Sequence, residues 1–327
     1  MSEYFDDAHR RAVERLHASL TGRSEWPTWL LLVTVYGGWF GTLALLGTGA
    51  IRLPVATLLL IVLCAWYMSV QHELLHGHPT RSVSVNKLLG YAPLAVWYPY
   101  TLYRDSHLMH HRDEDLTMPG IDPESNYVRA ERWAQMPSWH RLLWHARKTM
   151  IGRLVVGPPM AVCAIFKETM RQCRARDYRY VPMWLAHGTL VGVMLVAIDR
   201  WVGMPAWYYL LVVSWPAQSL AMVRSLYEHR AAPTSKARIV INEAGPLMRL
   251  LYLNNNYHLV HHDLPRLSWY HLPAVYAMRR REYIEKCGGF RVPGGYAELL
   301  SRYAFRPTDA AVHPYAGEAS PPEARQR

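Results

Sequence analysis

The chain has 327 residues, 51% of them hydrophobic and only 19% charged, and its 36 Lys and Arg against 25 Asp and Glu give a formal net charge of +11. A basic surplus of that size suits nucleic acid or an anionic membrane surface, and its distribution decides between them. Charge-free runs extend from Trp26 to Ile51, Leu53 to Gln71, Tyr180 to Ile198 and Trp201 to Val223; each meets or approaches the roughly 20 residues that cross a bilayer, so a soluble globule and a nucleic-acid binder are set aside.

The N-terminal segment, 1–25, opens acidic and polar and continues amphiphilic. It lacks the basic start and short apolar core of a secretory signal, so no cleavage is expected. Spans are predicted at about 27–50 and 53–71, joined by a turn holding Arg52, and at 181–199 and 203–223, joined by a turn holding Arg200. The other 34 of the 36 Lys and Arg fall outside these turns, which the positive-inside rule places in the cytoplasm. The fold expected is an all-α integral membrane protein. Four transmembrane helices form two hairpins with both termini cytoplasmic, and a cytoplasmic helical cap is built from 72–180 and 224–306. The membrane domain thus runs 26–306, and the tail 307–327, rich in Pro, Ala, Glu and Arg, is expected to be disordered.

Two apolar runs in the cap, Leu88 to Tyr103 and Ile151 to Phe166, are broken by Pro93, Pro99, Pro158 and Pro159 and read as interfacial or re-entrant pieces. Trp26, Trp29, Trp66, Tyr67, Trp201, Trp207, Tyr208 and Tyr209 lie near span ends, as in an aromatic belt. Cys64, Cys163, Cys173 and Cys287 are scattered without a CxxC pair, so neither a disulfide framework nor an iron–sulfur module is encoded.

The functional signal is histidine. Of 17 in the chain, nine fall in four places on one predicted membrane face. His72-Glu-Leu-Leu-His76 ends the second span, with His78 two residues on; His107, His110, His111 and His258, His261, His262 form two HxxHH boxes; His229 stands alone past the fourth span. On a helix, residues i, i+3 and i+4 share a face, so each box can address one or two metals. Imidazole suits iron, zinc, copper and nickel, and nine ligands exceed the four to six one ion takes. A dimetal site follows. HELLH also fits the HExxH signature of a zinc protease with Glu73 as base, but that leaves six box histidines idle. A metal carrier would place ligands and carboxylates at mid-membrane, where this sequence offers only His187.

The residues HELLHGHP at 72–79, HLMHHRDED at 107–115 and HLVHH at 258–262, with paired hairpins around them, resemble the three histidine boxes of the membrane fatty acid desaturase and hydroxylase superfamily, which includes acyl desaturases, alkane hydroxylases and carotenoid ketolases. The resemblance implies four long helices under a cytoplasmic domain that holds two iron ions. Their ligands would be His72, His76, His107, His110, His111, His229, His258, His261 and His262, acting in catalysis through the metals, with His78 an additional candidate. Some relatives carry asparagine four residues before the lone histidine; Ser225 stands there, and that role is not carried over.

Attack on an unactivated C–H bond needs metal and O2, because no side chain supplies the oxidant. Neutral imidazoles require carboxylates to accept their free ring N–H groups. Glu73, Asp105, Asp113, Glu114, Asp115, Glu228 and Asp263 flank the ligands, Glu228 and Asp113 being the first choices. The run Asn254 to Asn256 could orient ligands or end a helix, and the helix end is the favoured reading. The chain has no fingerprint for a flavin or nicotinamide, so electrons would come from an external donor, by resemblance a ferredoxin, rubredoxin or cytochrome b5-like carrier. Arg171, Arg174, Arg176 and Arg179, or Arg279 to Arg281, would dock it. The expected reaction is desaturation of a long-chain fatty acyl substrate. Hydroxylation, ketolation or oxidative decarboxylation of a lipid or alkane chain shares the ligand set, and a bacterial inner membrane is the expected location.

Overall fold

A computed structural model describes residues 4–316 of the chain. Helix α1 (Asp7–Ala18) starts where the Asp6 side chain accepts the His9 N–H at 2.7 Å. Helices α2 (Trp26–Gly47) and α3 (Leu53–Leu75) each begin at a proline in the first turn, where the missing N–H costs nothing. Then come α4 (Tyr100–His110), α5 (Gly157–Arg174), α6 (Val181–Val202), α7 (Trp215–Arg224) and α8 (His258–Asp263).

Among the described residues three helices, α2, α3 and α6, are long and apolar enough to cross a membrane. The fourth run predicted, 203–223, is helical from Ala206 but divided: Ala206–Tyr208, a π segment Tyr209–Ser214, then α7. Pro216 explains the division. Its ring would clash with the carbonyl four residues back, Val212, and it has no N–H to give; widening to π geometry accommodates both. Leu30, Val33 and Phe40 of α2, Leu58 and Val62 of α3, and Leu185, Val193 and Val196 of α6 are exposed. Apolar helix faces of that extent suit lipid, and the chain associates with a membrane.

Helix α3 is central, packed against α2 on one side and the π segment and α7 on the other, with α6 lying on α2. Val35, Trp39, Leu60, Cys64, Tyr67, Val213 and Ala217 fill the interior. Two buried pairs tie its polar atoms: Trp39 Nε1–H donates to Tyr209 OH at 2.9 Å, and Tyr67 OH to the Gly90 carbonyl at 2.7 Å. His187 Nε2 lies 2.9 Å from the Val96 carbonyl. The first proline-broken run folds back onto this bundle through Leu94, Ala95 and Val96; the second forms Met150–Val155 and α5.

One part of the cap packs around Leu116, Ile239, Ile241, Leu259, Val260, Val275 and Tyr283, which Val13 of α1 joins, and another around Met150, Leu226, Tyr252 and Leu299. Strands β1 (Ile241–Asn242) and β2 (Arg291–Val292) pair in parallel. All four cysteines are free. The tail differs from expectation. Thr308 N–H donates to the Lys148 carbonyl at 3.0 Å, Val128 N–H to Ala311 O at 2.9 Å and His313 N–H to Val128 O at 3.0 Å, so 308–313 are tied to the cap because Ala311 and His313 bury there. Residues 317–327 lie outside the described ones.

Candidate metal centre

Each histidine box sits at a helix end, where the chain turns and several side chains converge. His72 lies in the last turn of α3 and His76 is its C-cap, after which Gly77 turns the chain at φ +96°. His107 and His110 close α4, with His111 as C-cap. Helix α8 contains all of the third box. His229 lies past α7 in an isolated bridge to Ile239, a buried residue that fixes its backbone.

The nine histidines form two groups, His72, His76, His107, His111 and His261 in one and His110, His229, His258 and His262 in the other; candidate donor atoms within each lie within 4.8 Å of one another. The HxxHH spacing explains the partition. In α4 the i, i+4 pair His107 and His111 faces the first group and His110 the second; α8 reverses this, sending His258 and His262 to the second and His261 to the first. Each HxxHH box therefore straddles both groups, while His72 and His76 both belong to the first.

The nitrogens that meet are Nε2 atoms. His229 Nε2 is 3.0 Å from His110 Nε2 and 2.9 Å from His258 Nε2, His262 Nε2 is 3.2 Å from His258 Nε2, and His111 Nε2 is 3.0 Å from His107 Nε2 and 3.1 Å from His261 Nε2. Acceptors behind them fix the tautomers: His107 Nδ1–H donates to Glu124 Oε1 at 2.9 Å, His110 Nδ1–H to Asp122 Oδ1 at 2.9 Å, and His258 Nδ1–H to Asn255 Oδ1 at 3.1 Å. In a neutral ring this leaves Nε2 with a bare lone pair. Lone pairs of His110 and His258 then both face His229 Nε2, an arrangement a cation between them would satisfy. The residues fit metal ions.

Burial holds His76, His111, His229, His258, His261 and His262 well below the usual imidazole range, with neighbouring imidazoles adding to the effect. They are neutral, the form that binds metal. For His110 burial is outweighed by Glu124 and Asp122, which raise it to about 9; with an ion bound, Nε2 would give up that ring proton, and these carboxylates would then supply the negative charge a nitrogen-only donor set lacks. Burial would raise Glu124, yet His107 and His110 hold it low.

Of the flanking carboxylates chosen from sequence, Glu73 Oε1 lies 3.4 Å from His72 Nδ1 while Oε2 accepts the Trp269 N–H. Glu228 Oε1 lies 3.7 Å from His258 Nδ1 and 3.2 Å from Arg224 Nε. Asp263 faces Lys286 at 2.6 Å and Lys236 at 3.5 Å, and Asp105 meets Arg104 and Tyr180. The Asp113 side chain lies outside the described residues. His78 is 2.9 Å from Glu25 Oε1, which also accepts the Ser268 hydroxyl, and Ser225 Oγ accepts from Arg153 at 2.6 Å.

Asp122 and Glu124 were missed. Asp122 and Glu124 stand 12 and 17 residues beyond the histidines they serve, returned by the turns around Gly120, whose φ is +81°. Their only sequence signal is an Asp-Pro-Glu triplet after Pro119-Gly120. Asn255 corrects the helix-end reading of its run: it accepts from His258, and its Nδ2 lies 3.4 Å from His72 Nε2, bridging the two groups.

The Fatty acid desaturase family profile matches residues 50–293, a stretch that includes all three boxes and His229, and no curated protein matches the chain. By that match over well more than half its length, with the histidines gathered as described, the chain belongs to the fatty acid desaturase family, the membrane desaturase and hydroxylase superfamily, and is an oxidoreductase enzyme.

Proposed function

We propose that the protein is a membrane-bound desaturase of long-chain fatty acyl substrates, holding one iron ion in each histidine group and taking O2 as co-substrate and electrons from a separate carrier. The observation that carries this reading is the division of nine buried or half-buried imidazoles into groups of five and four inside a matched family. Bound iron would supply the O2 chemistry that side chains lack. The histidines would hold the ions, and Glu124, Asp122 and Asn255 keep Nδ1 of His107, His110 and His258 protonated so that Nε2 faces inward. Arg224 stands beside Glu228 at the end of α7, keeping a fixed cation near the centre. A substrate chain would lie among the apolar ends of α3 and α7, with the carbon to be attacked close under the lipid phase.

Four crossings with cytoplasmic termini fit this reading, the π segment and α7 supplying the fourth. The external donor would be a small acidic electron carrier. Of the arginines expected to dock it, Arg171 pairs with Glu168, Arg179 with Asp177, and Arg279 and Arg280 with Asp6 and Glu243, which leaves Arg174, Arg176 and Arg281 as the stronger candidates. The zinc-protease reading loses ground because the Glu73 carboxylate is engaged by Trp269 and His72, and the six histidines it leaves idle sit in the same two groups.

The test is metal content of detergent-purified protein, with mass spectrometry of lipids from cells expressing it or His110→Ala. Two irons per chain and a lipid lighter by two hydrogens, absent in the variant, are expected. A product heavier by one oxygen would replace desaturase by hydroxylase; one zinc and unchanged lipids would overturn the reading.

A further inference from the structure

The segment Thr308 to His313 lies beyond the family match, which ends at residue 293. We propose that this C-terminal strap positions the four-histidine half of the metal centre, Asp309 and His313 setting the 117–128 loop so that Asp122 meets His110.

Two chains of hydrogen bonds carry the argument. His313 is 3% exposed. Its Nδ1 accepts the Tyr315 N–H at 3.2 Å, so its Nε2–H donates to Thr117 Oγ1 at 3.0 Å. The Thr117 N–H donates to Asp122 Oδ2 at 2.8 Å, and Asp122 Oδ1 accepts His110 Nδ1–H at 2.9 Å and the Glu124 N–H at 2.8 Å. Three hydrogen bonds thus link the tail to a ligand histidine. In the second chain, Tyr127 OH donates to Asp309 Oδ2 and accepts the Ala231 N–H at 2.7 Å, two residues beyond His229. Both chains end at the four-histidine group. The backbone pairing of Val128 with Ala311 and His313 holds them together.

The reason Asp309 docks there is electrostatic. Arg147, Lys148 and Arg153 line a small cavity with Asn126 and Leu226. Asn126 Oδ1 accepts from Arg147 at 2.8 Å and Arg153 at 3.0 Å, and Lys148 Nζ meets Asp309 Oδ1 at 2.5 Å. Three neighbouring cations in a half-dry site need a counter-charge, and the Asp309 carboxylate brings one from the tail. Burial pulls Lys148 down to about 8 even with Asp309 beside it, so removing that carboxylate would leave the cluster strongly unfavourable.

This inference rests on the reading that the nine histidines hold metal. The experiment loads the full-length chain with Fe(II) or Co(II), challenges it with a chelator, and follows metal per chain, the Co(II) visible spectrum and thermal unfolding. For Asp309→Asn, His313→Ala and Thr117→Val the expected result is roughly tenfold faster loss of one ion, the other staying as in wild type, because outer partners of ligands typically carry about 10- to 100-fold of metal affinity. His313→Gln, which keeps a donor toward Thr117, should restore retention. Thr117→Val removes the same link from the loop side with every tail residue kept, so its agreement with His313→Ala would separate positioning from simple packing. Wild-type release rates in all variants would overturn the proposal, as would equal loss of both ions in every variant, His313→Gln included, alongside lowered unfolding temperature. A wild-type protein that takes up no metal would overturn this inference and the reading beneath it together.

Discussion

At the scale of single residues, the side chains that decide the centre's chemistry are the ones that decide which imidazole nitrogen is bare. Glu124, Asp122 and Asn255 each take an Nδ1–H, and loss of such a partner frees the ring to rotate or to adopt the wrong tautomer. Asp122→Asn and Glu124→Gln are expected to lower metal affinity or turnover by about 10- to 100-fold without changing helix content by circular dichroism. Wild-type metal retention in both would remove these residues from that role. Asn255→Ala should act on both groups, since its side chain approaches His258 and His72. Sequence made the histidines legible because i, i+3 and i+4 spacing is a local property of one helix. It hid Asp122 and Glu124 because their placement depends on the turns after α4, and it offered Glu228 and Asp263 only because they adjoin a ligand. Adjacent side chains on a helix point in different directions, and Asp263 duly faces two lysines.

At the scale of elements, an HxxHH box on a helix end is a bridge, and two such helices meeting in opposite sense produce two groups instead of one. The second level of misreading is also here: a span identified by apolar length does not announce that Pro216 will divide it, and a tail of Pro, Ala and Glu does not announce two buried anchors. Those anchors give the strap a pH dependence. His313 is lowered from 6.5 to about 4, by burial first and by Arg238 and Lys148 next, with Asp309 opposing. A released His313 would hold more protons than a docked one between those values, so docking is at full strength above pH 6.5 and weakens as pH falls toward about 4. Amide exchange at Val128 and His313, corrected for intrinsic rate, should therefore lose protection across that window. In His313→Gln it should be flat, and a slope unchanged in that variant would place the titration elsewhere. Within the bundle, Trp39→Phe removes the bond to Tyr209 and should cost about 1 kcal/mol, read as a lowered unfolding midpoint in detergent.

At the scale of the whole molecule, chain charge and chain packing point the same way. Helix α1 joins the cap: Phe5 stacks edge-on against Tyr283 at 4.8 Å, Asp6 meets Arg279 at 2.5 Å, and Tyr270 OH donates to the Thr21 carbonyl at 2.8 Å. The start of α2, the end of α3, the metal centre and the strap therefore share one end of the molecule. At the other end a side chain on Gly47 would meet the Trp201 carbonyl at 3.4 Å, so the turn after α2 lies beside the end of α6. That end holds just Arg52, before α3, and Arg200, in the last turn of α6, of the 36 Lys and Arg, and positive charge resists translocation. The expected orientation has both turns outside and everything that binds metal inside. It can be read from introduced cysteines at two exposed positions, Ala50 in the first turn and Leu20 before α2, with Cys163 and Cys173 changed to Ser. An impermeant maleimide should label Ala50→Cys in intact cells and Leu20→Cys only after permeabilisation. The reverse pattern would invert the molecule, and labelling of both from one side would mean that α2 does not cross, leaving the basic surplus to be explained by headgroup binding alone.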